Sequence, residues 1–375
     1  MIRQNGNPDK QGLIRSSRAS ARAPRVSAER LAELAWHVTE RDREIALCVY
    51  EQQLLATDQL TLLFFSSTRR AQDRLLFLYR QRVLDRFYPP SRFGAGKPQA
   101  HWLLDEAGAH LTAATLGAER KRLGWQRRDD WGSHRQLAHR LEVNRFVTDL
   151  IAATLTDQAL AVREWSGPRA AAERLEQRVR PDARLLVQTA ALAAIECLVE
   201  WDRATEPAER LAEKLARYRI AERKLRHHDG EPRSVLFVVP GEGRLETLRR
   251  LPVPGRDDSS ASLGRWPILA TTTPTLRRDG PLAHIWQPID LPGEPPRALT
   301  ELPARSDLPA TDPWVALGCR WRHDQPDFWE RLSPLARPLA ADAGVERVTD
   351  RDLRSSAING SMDDREDDVE EEPWR

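Results

Sequence analysis

The sequence predicts a mixed α/β protein of two modules, one helical and one α/β, closed by a loop-rich extension. Three observations predict it. Residues 27–117 run in helical periodicity broken by short turn signals. Residues 136–250 interleave amphipathic helical stretches with short apolar runs of strand length. From residue 251 onward Pro and Gly become frequent, as in PVPGRDDSSASLGRWP and LPGEPPRALTELPARSDLPATDP, the punctuation of loops.

Composition narrows the function classes. A chain of 375 residues has room for two or three domains. The start, MIRQNGNPDKQG, has no apolar h-region, and no apolar run is long enough to span a bilayer. The expectation is a soluble, cytoplasmic protein. Cys48, Cys197 and Cys319 lie far apart and lack metal-ligand spacing, which argues for reduced thiols rather than a disulfide or zinc scaffold. The net charge of +2 conceals a polarity. Residues 1–26 form a basic arm, with Arg3, Lys10, Arg15, Arg18, Arg22 and Arg25 against Asp9. Residues 363–375 form an acidic tail, DDREDDVEEEPWR. Opposed charged ends of this kind are usual in nucleic-acid proteins, although each alone reads equally as a solvated terminus.

The first module spans residues 27–118. Ser27 is placed to cap a helix from Ala28 to Trp36. A second helix is expected over residues 39–54, with Ile45 and Val49 inward. Thr57 is expected to cap a shorter third, and Ser66 or Ser67 to cap a fourth over STRRAQDRLLFLYRQRVL. That last helix carries Ala71, Leu75, Leu78 and Tyr79 at helical spacing and sets Arg69, Arg70, Gln72 and Arg74 around its exposed start. Two β-prone runs, about 84–88 and 101–104, then flank a Pro/Gly loop holding Arg92 and Lys97. Helices ending in a basic one, then a two-stranded wing, is the order of a winged helix-turn-helix. Residues 66–97 hold eight basic side chains against two acidic ones. Such a helix can enter the major groove of duplex DNA, offering Arg and Gln to base edges, while wing cations reach phosphate. An arginine-rich solvated helix, or a winged helix that contacts protein, is the plainer alternative.

Residues 119–135 are charged, have few apolar anchors, and read as a linker. The second module spans residues 136–290. Its first helix, QLAHRLEVNRFVTDLIAAT, turns Leu137, Leu141, Val147 and Leu150 or Ile151 inward. REWSGPRAAAERLE follows as a connecting segment, with Glu164-Trp165 expected on a helix as an additional acidic contribution. Pro181-Asp182 precedes an apolar strand, and IECLVEWDR reads as the next strand. Alternation puts Cys197, Val199 and Trp201 on one face, and Leu198, Glu200 and Asp202 on the other. Thr205 is expected to cap the helix EPAERLAEKLARYRIAERKL, buried along Leu211, Leu215 and Tyr218. SVLFVV, residues 234–239, reads as a strand buried on both faces. Short strands are expected at 267–273 and 284–289. His227-His228 sits at a helix end beside Asp229-Gly230 and reads as a cap region.

Pro181-Asp182, then Glu200-Trp201-Asp202-Arg203-Ala204-Thr205-Glu206, then Lys214 and Tyr218 on an amphipathic helix, resembles the actinobacterial replication-relaxation family. His139 and Asn144, in HRLEVN, also look like that family's pattern. The resemblance covers about residues 40–250. It implies a restriction-endonuclease-like α/β domain, a role in plasmid replication and DNA relaxation, and a distant relation to PD-(D/E)xK nucleases. Catalytic residues are then expected at Asp182, Glu200, Asp202 and Lys214. Two carboxylates from neighbouring strands can hold Mg²⁺, which orients water and neutralises charge developing on a scissile phosphate. The position two beyond Glu200, where such nucleases usually carry Lys, holds Asp202. Lys214 is the candidate to restore the cation, Asp202 a third metal ligand beside Asp182 and Glu200, and Arg203 a phosphate contact. Taken singly, these residues also read as turn chemistry and a solvated strand face.

Residues 291–362 form the loop-rich extension. Trp266, Trp286, Trp314, Trp321 and Trp329 read first as packing residues, although Cys319-Arg320-Trp321-Arg322 could stack on bases. Three functions fit: a metal-dependent nicking or relaxing enzyme on plasmid or origin-like duplex DNA, a non-catalytic plasmid or transcription regulator, and an interaction scaffold. Mobilisation or replication proteins and a second copy of the chain are the expected further partners.

Overall fold

A computed structural model describes residues 26–305 apart from 89–98, 126–133, 158, 192, 229, 253–265 and 292. The basic arm up to residue 25, Arg92 and Lys97 of the expected wing, Trp314, Trp321, Trp329 and the acidic tail lie outside the described residues.

The helical module forms as its caps direct. Ser27 caps α1 (Ala28–His37) by accepting from the Arg30 amide. Thr39 and Asp42 close a reciprocal capping box on α2 (Glu40–Gln52). This helix stops two residues short of the expected Leu54, because Gln53 turns into the left-handed region at φ 68°. The chain then lays down β1 (Leu55–Ala56), α3 (Thr57–Phe64), α4 (Thr68–Arg80), β2 (Leu84–Phe87), β3 (His101–Leu104) and α5 (Glu106–Thr115). Ser67 caps α4. Thr57 is not the cap of α3 but its first residue. Its hydroxyl donates to Ala100 O and accepts from Trp102 Nε1 at 2.9 Å, so it fastens the helix to β3. β2 and β3 pair antiparallel, and the two-residue β1 adds a third strand that sequence reading missed. Gly108 on α5 is required: a Cβ there would meet Val83 O at 2.1 Å.

The second module runs α6 (His134–Thr156), β4 (Leu160–Ser166), α7 (Pro168–Arg174), β5 (Ala183–Thr189), β6 (Ala194–Trp201), α8 (Ala208–His228), β7 (Arg233–Val239), α9 (Glu242–Arg250), β8 (Ile268–Thr272), α10 (Thr273–Asp279) and β9 (Gln287–Pro288). The six strands lie in sequence order in one sheet. β4, β5 and β6 form an antiparallel meander, β6, β7 and β8 are parallel, and β9 returns antiparallel. Two corrections stand out. The segment expected to be a link or helix around Glu164 is the edge strand β4, whose alternation a β-bulge between Val162 and Glu164 interrupts. Thr205 is exposed and does not cap α8, which starts after Pro207, as proline at the threshold of a helix favours.

Alternation divides the core. Cys197, Val199 and Trp201 pack with Val143, Phe146 and Val147 of α6 on one face. Leu198, Val235 and Phe237 pack with Leu211, Leu215 and Tyr218 of α8 on the other. β7 is buried along its whole length, as a strand covered on both faces must be.

The two modules share the first of these cores, which runs from Leu34 of α1 to Leu302. Wholly buried Asn144 of α6 donates to Leu54 O at 2.6 Å and Gln52 O at 3.2 Å. Gln52 in turn donates to Trp165 O at 3.1 Å. Gly167 packs so closely on α2 that a Cβ would meet Glu51 O at 2.0 Å. Leu123, within the segment read as a linker, is buried, and its carbonyl accepts from the Tyr50 hydroxyl at 2.8 Å.

Candidate functional site

The sheet register brings the two principal carboxylates together. Ala183 on β5 faces Val199 on β6, and the Asp182 amide donates to Val199 O at 2.9 Å, so Asp182 sits at the register step beside Glu200. Asp182 is held from two directions. Its Oδ1 lies 2.8 Å from His139 Nε2 on α6, and its Oδ2 accepts from the Trp201 amide at 2.9 Å. Arg140 donates to the Asp182 carbonyl at 3.0 Å. Burial pushes the Asp182 carboxyl up, but His139, the Trp201 amide and Arg140 outweigh it and hold the group below the usual range.

Glu200 points to the α8 face, as alternation predicts. Lys214 and Tyr218 stand one helical turn apart on α8 and both reach it. Lys214 Nζ lies 2.9 Å from Oε2, and the Tyr218 hydroxyl donates to Oε1 at 2.6 Å. Burial raises the Glu200 carboxyl to about 7, Lys214 opposes the rise and neighbouring Asp182 adds to it. Burial pulls Lys214 down, but Glu200 outweighs that and leaves its ammonium above the ordinary lysine value. Tyr218 is pushed up by burial and by the adjacent Glu200 charge.

Asp202 departs from the expected metal triad. It lies just past the end of β6, where its Oδ2 meets Arg244 Nε of α9 at 2.5 Å and its Oδ1 accepts from the Ala204 amide at 2.8 Å. The strand has ended, so alternation no longer aims the side chain beside Glu200. Among the described residues, no group of three or more His, Cys, Asp and Glu is arranged to hold a metal ion. Arg203 forms an ion pair with Glu142 of α6 at 3.1 Å. Glu164 belongs to β4, not to a helix, and pairs with Arg184 at 2.7 Å. Arg184 also binds Glu196, which binds Arg233, a buried chain of alternating charge within the sheet.

On the helical module, Arg69, Arg70 and Gln72 are exposed along the first turns of α4. Arg70 reaches back to the Ser66 hydroxyl at 3.2 Å. Arg74 differs from the expectation of an outward cation. Its Nε donates to the buried Asp42 at 2.9 Å and its Nη2 to His37 O at 2.9 Å, so it ties α4 to α2. The apolar stripe of α4 rotates Arg74, one turn after Arg70, toward the flank of the helix.

Sequence reading placed His139 only within a resemblance and Tyr218 also on the buried stripe of its helix, and gave neither a partner. The spacing of Lys214 and Tyr218, four residues apart on a helix, was a signal for a shared target. Nothing local could reveal that His139 reaches Asp182, forty-three positions along the chain.

With this geometry in view, residues 48–232 match the replication-relaxation family. These residues belong to that family. The replication-relaxation segment takes in the end of α2, the helical module from β1 onward, α6, the β4–β6 meander and α8, and so it contains Asp182, Glu200, Lys214 and Tyr218. The match suggests a role in replication or relaxation. Neither the curated proteins nor the solved structures gave a match. Among the described residues no helix is long and apolar enough to cross a membrane.

Proposed function

We propose that this protein binds duplex DNA through the exposed start of α4 and nicks one strand at the Asp182–Glu200–Lys214 cluster. It would thereby serve the replication or relaxation of a plasmid or other mobile element. The single observation that carries the catalytic half is Lys214 Nζ on Glu200 Oε2 at 2.9 Å, with Asp182 on the neighbouring strand. Lys214 supplies from α8 the cation that position 202 lacks. The order of α6, three meandering strands, α8 and a parallel β7 supports the likeness to restriction endonucleases.

Asp182 and Glu200 fit Mg²⁺ as a two-carboxylate site. Mg²⁺ keeps several waters and needs only one or two carboxylates. Burial first, and Asp182 after it, raises the Glu200 carboxyl, a cost that a bound cation would offset. When bound, the ion would polarise the scissile phosphate and lower the pKa of a water. His139 and the Trp201 amide fix the Asp182 carboxylate, Tyr218 fixes that of Glu200, and Lys214 presents a positive charge toward phosphate.

A second reading has its own support. Both oxygens of Asp182 and of Glu200 already have protein partners, and Asp202 is bound to Arg244. A cluster so neutralised suits a non-catalytic plasmid or transcription regulator. Supercoiled plasmid carrying the cognate origin, incubated with Mg²⁺ or Mn²⁺, separates the two. Nicking by the wild type that Asp182→Ala abolishes supports the enzyme. Equal, intact plasmid with both, together with specific retardation of origin duplex, supports the regulator.

A further inference from the structure

A cleft of about 390 Å³ opens between α6 and α10. Its floor is apolar: Phe146, Trp201, Leu276 and Pro281 line it. The Phe146 and Trp201 rings stand 6.0 Å apart at 46°. Exposed Arg145 and Arg277 stand on the rim. Two carboxylates, Glu142 and Asp149, also border the cleft; Arg203 pairs with the first, and Arg145 pairs with the second and with Asp58 of α3.

Position decides what such a cleft can serve. β6 and β8 run parallel with β7 between them, so Trp201 and Thr273, at or just beyond their C-terminal ends, mark the same edge of the sheet. Open α/β sheets bind ligands in the crevice at this edge. Trp201 directly follows Glu200, and its amide holds Asp182. The cleft therefore adjoins the carboxylate cluster from the α6 side. It is large enough for one planar heterocycle, aromatic within and bordered by exposed Arg277, whose charge complements a phosphodiester.

We infer that this cleft binds one unpaired nucleobase of single-stranded DNA, next to the strand handled at Asp182 and Glu200. The inference rests on the nicking proposal. It adds that the strand is read one base at a time by apolar contact, independently of α4. Aromatic and apolar packing tolerates every base, and Arg277 meets the backbone.

The probe is a fluorescently labelled oligothymidylate, with the same oligonucleotide built on abasic sugars as its control, measured by anisotropy on the full chain. Wild-type protein should bind the base-bearing strand roughly tenfold more tightly than the abasic one. Leu276→Trp, which fills the cleft, should erase that difference. Arg277→Glu alters an exposed residue, so folding is preserved, and it should weaken both strands. Equal binding of the two oligonucleotides by the wild type overturns the inference. So does a base preference that survives Leu276→Trp in a variant with unchanged melting temperature. Should Leu276→Trp fail to fold, the abasic comparison and Arg277→Glu decide alone. Failure of the α4 reading shows elsewhere, as duplex retardation indifferent to Arg69→Ala and Arg70→Ala.

Discussion

Lys214 and Glu200 meet at 2.9 Å across the junction of β6 and α8, fourteen residues apart in the chain. The contact puts a lysine ammonium against a carboxylate that is almost wholly buried. Removing that ammonium strips the buried charge of its nearest compensation. Lys214→Met is expected to push the Glu200 carboxyl further above 7 and to cut plasmid nicking by at least a hundredfold. Lys214→Arg should retain part of the activity. Nicking rates for the three proteins check this, and equal rates would dissociate the contact from the chemistry.

Glu200 also predicts how stability responds to pH. Its folded carboxyl lies near 7, above the value of about 4.3 for an unfolded glutamate. The folded state thus binds the proton more tightly, and this contribution to stability is complete below the unfolded value. It is lost as pH rises from about 4.5 through 7. Asp182 has the opposite sign: its folded carboxyl is lowered, so its contribution is present at neutral pH and fades only in acid. Glu200→Gln should therefore flatten the fall in melting temperature between pH 5 and pH 8. A variant that retains the wild-type slope would show that another group carries it.

Arg74 and Arg69 sit on one helix and should behave differently. Asp42 is fully buried and its carboxylate is paired with Arg74. Arg74→Ala leaves that charge with Thr39 as its remaining side-chain partner and should cost about 3 kcal/mol in urea unfolding. Arg69→Ala, at an exposed site, should stay within about 0.5 kcal/mol of wild type.

Binding of duplex DNA provides the complementary measurement. If Arg69 and Arg70 meet phosphates, each substitution by Ala should reduce the slope of log affinity against log salt by about 0.9. Gln72→Ala should leave the slope unchanged and relax sequence preference, since an amide reads base edges and not charge.

Asn144 joins the two modules through carbonyls that have no water to fall back on. Asn144→Ala should destabilise the protein by about 1–3 kcal/mol in chemical unfolding, with both modules losing structure in one transition. Two separate transitions would show that the shared core does not couple them.

Much of the fold was legible in the residues. The cap at Ser27, the cap at Ser66 or Ser67, the apolar stripe of α4 and the period-two alternation of Ile195 to Trp201 are local signals, and each element formed where they stand. β4 escaped because its strand is interrupted by a bulge and carries Arg163 and Glu164, which meet Gln188 and Arg184 on the next strand. The Asp182–Glu200 pair was legible as two strand-borne acids. The fate of Asp202 was not, since the end of β6 and the position of Arg244 on α9 set it.

By itself the sequence determined the alternation of helices and strands, the faces they bury and the residue types at the site, because these depend on neighbours within a turn or a pleat. Tertiary structure alone decided which charges meet. Lys214 reaches Glu200, Arg74 turns to Asp42, His139 finds Asp182 and Arg244 captures Asp202. Ion pairing depends on distance through space, and strand register and helix packing set that distance over tens of residues.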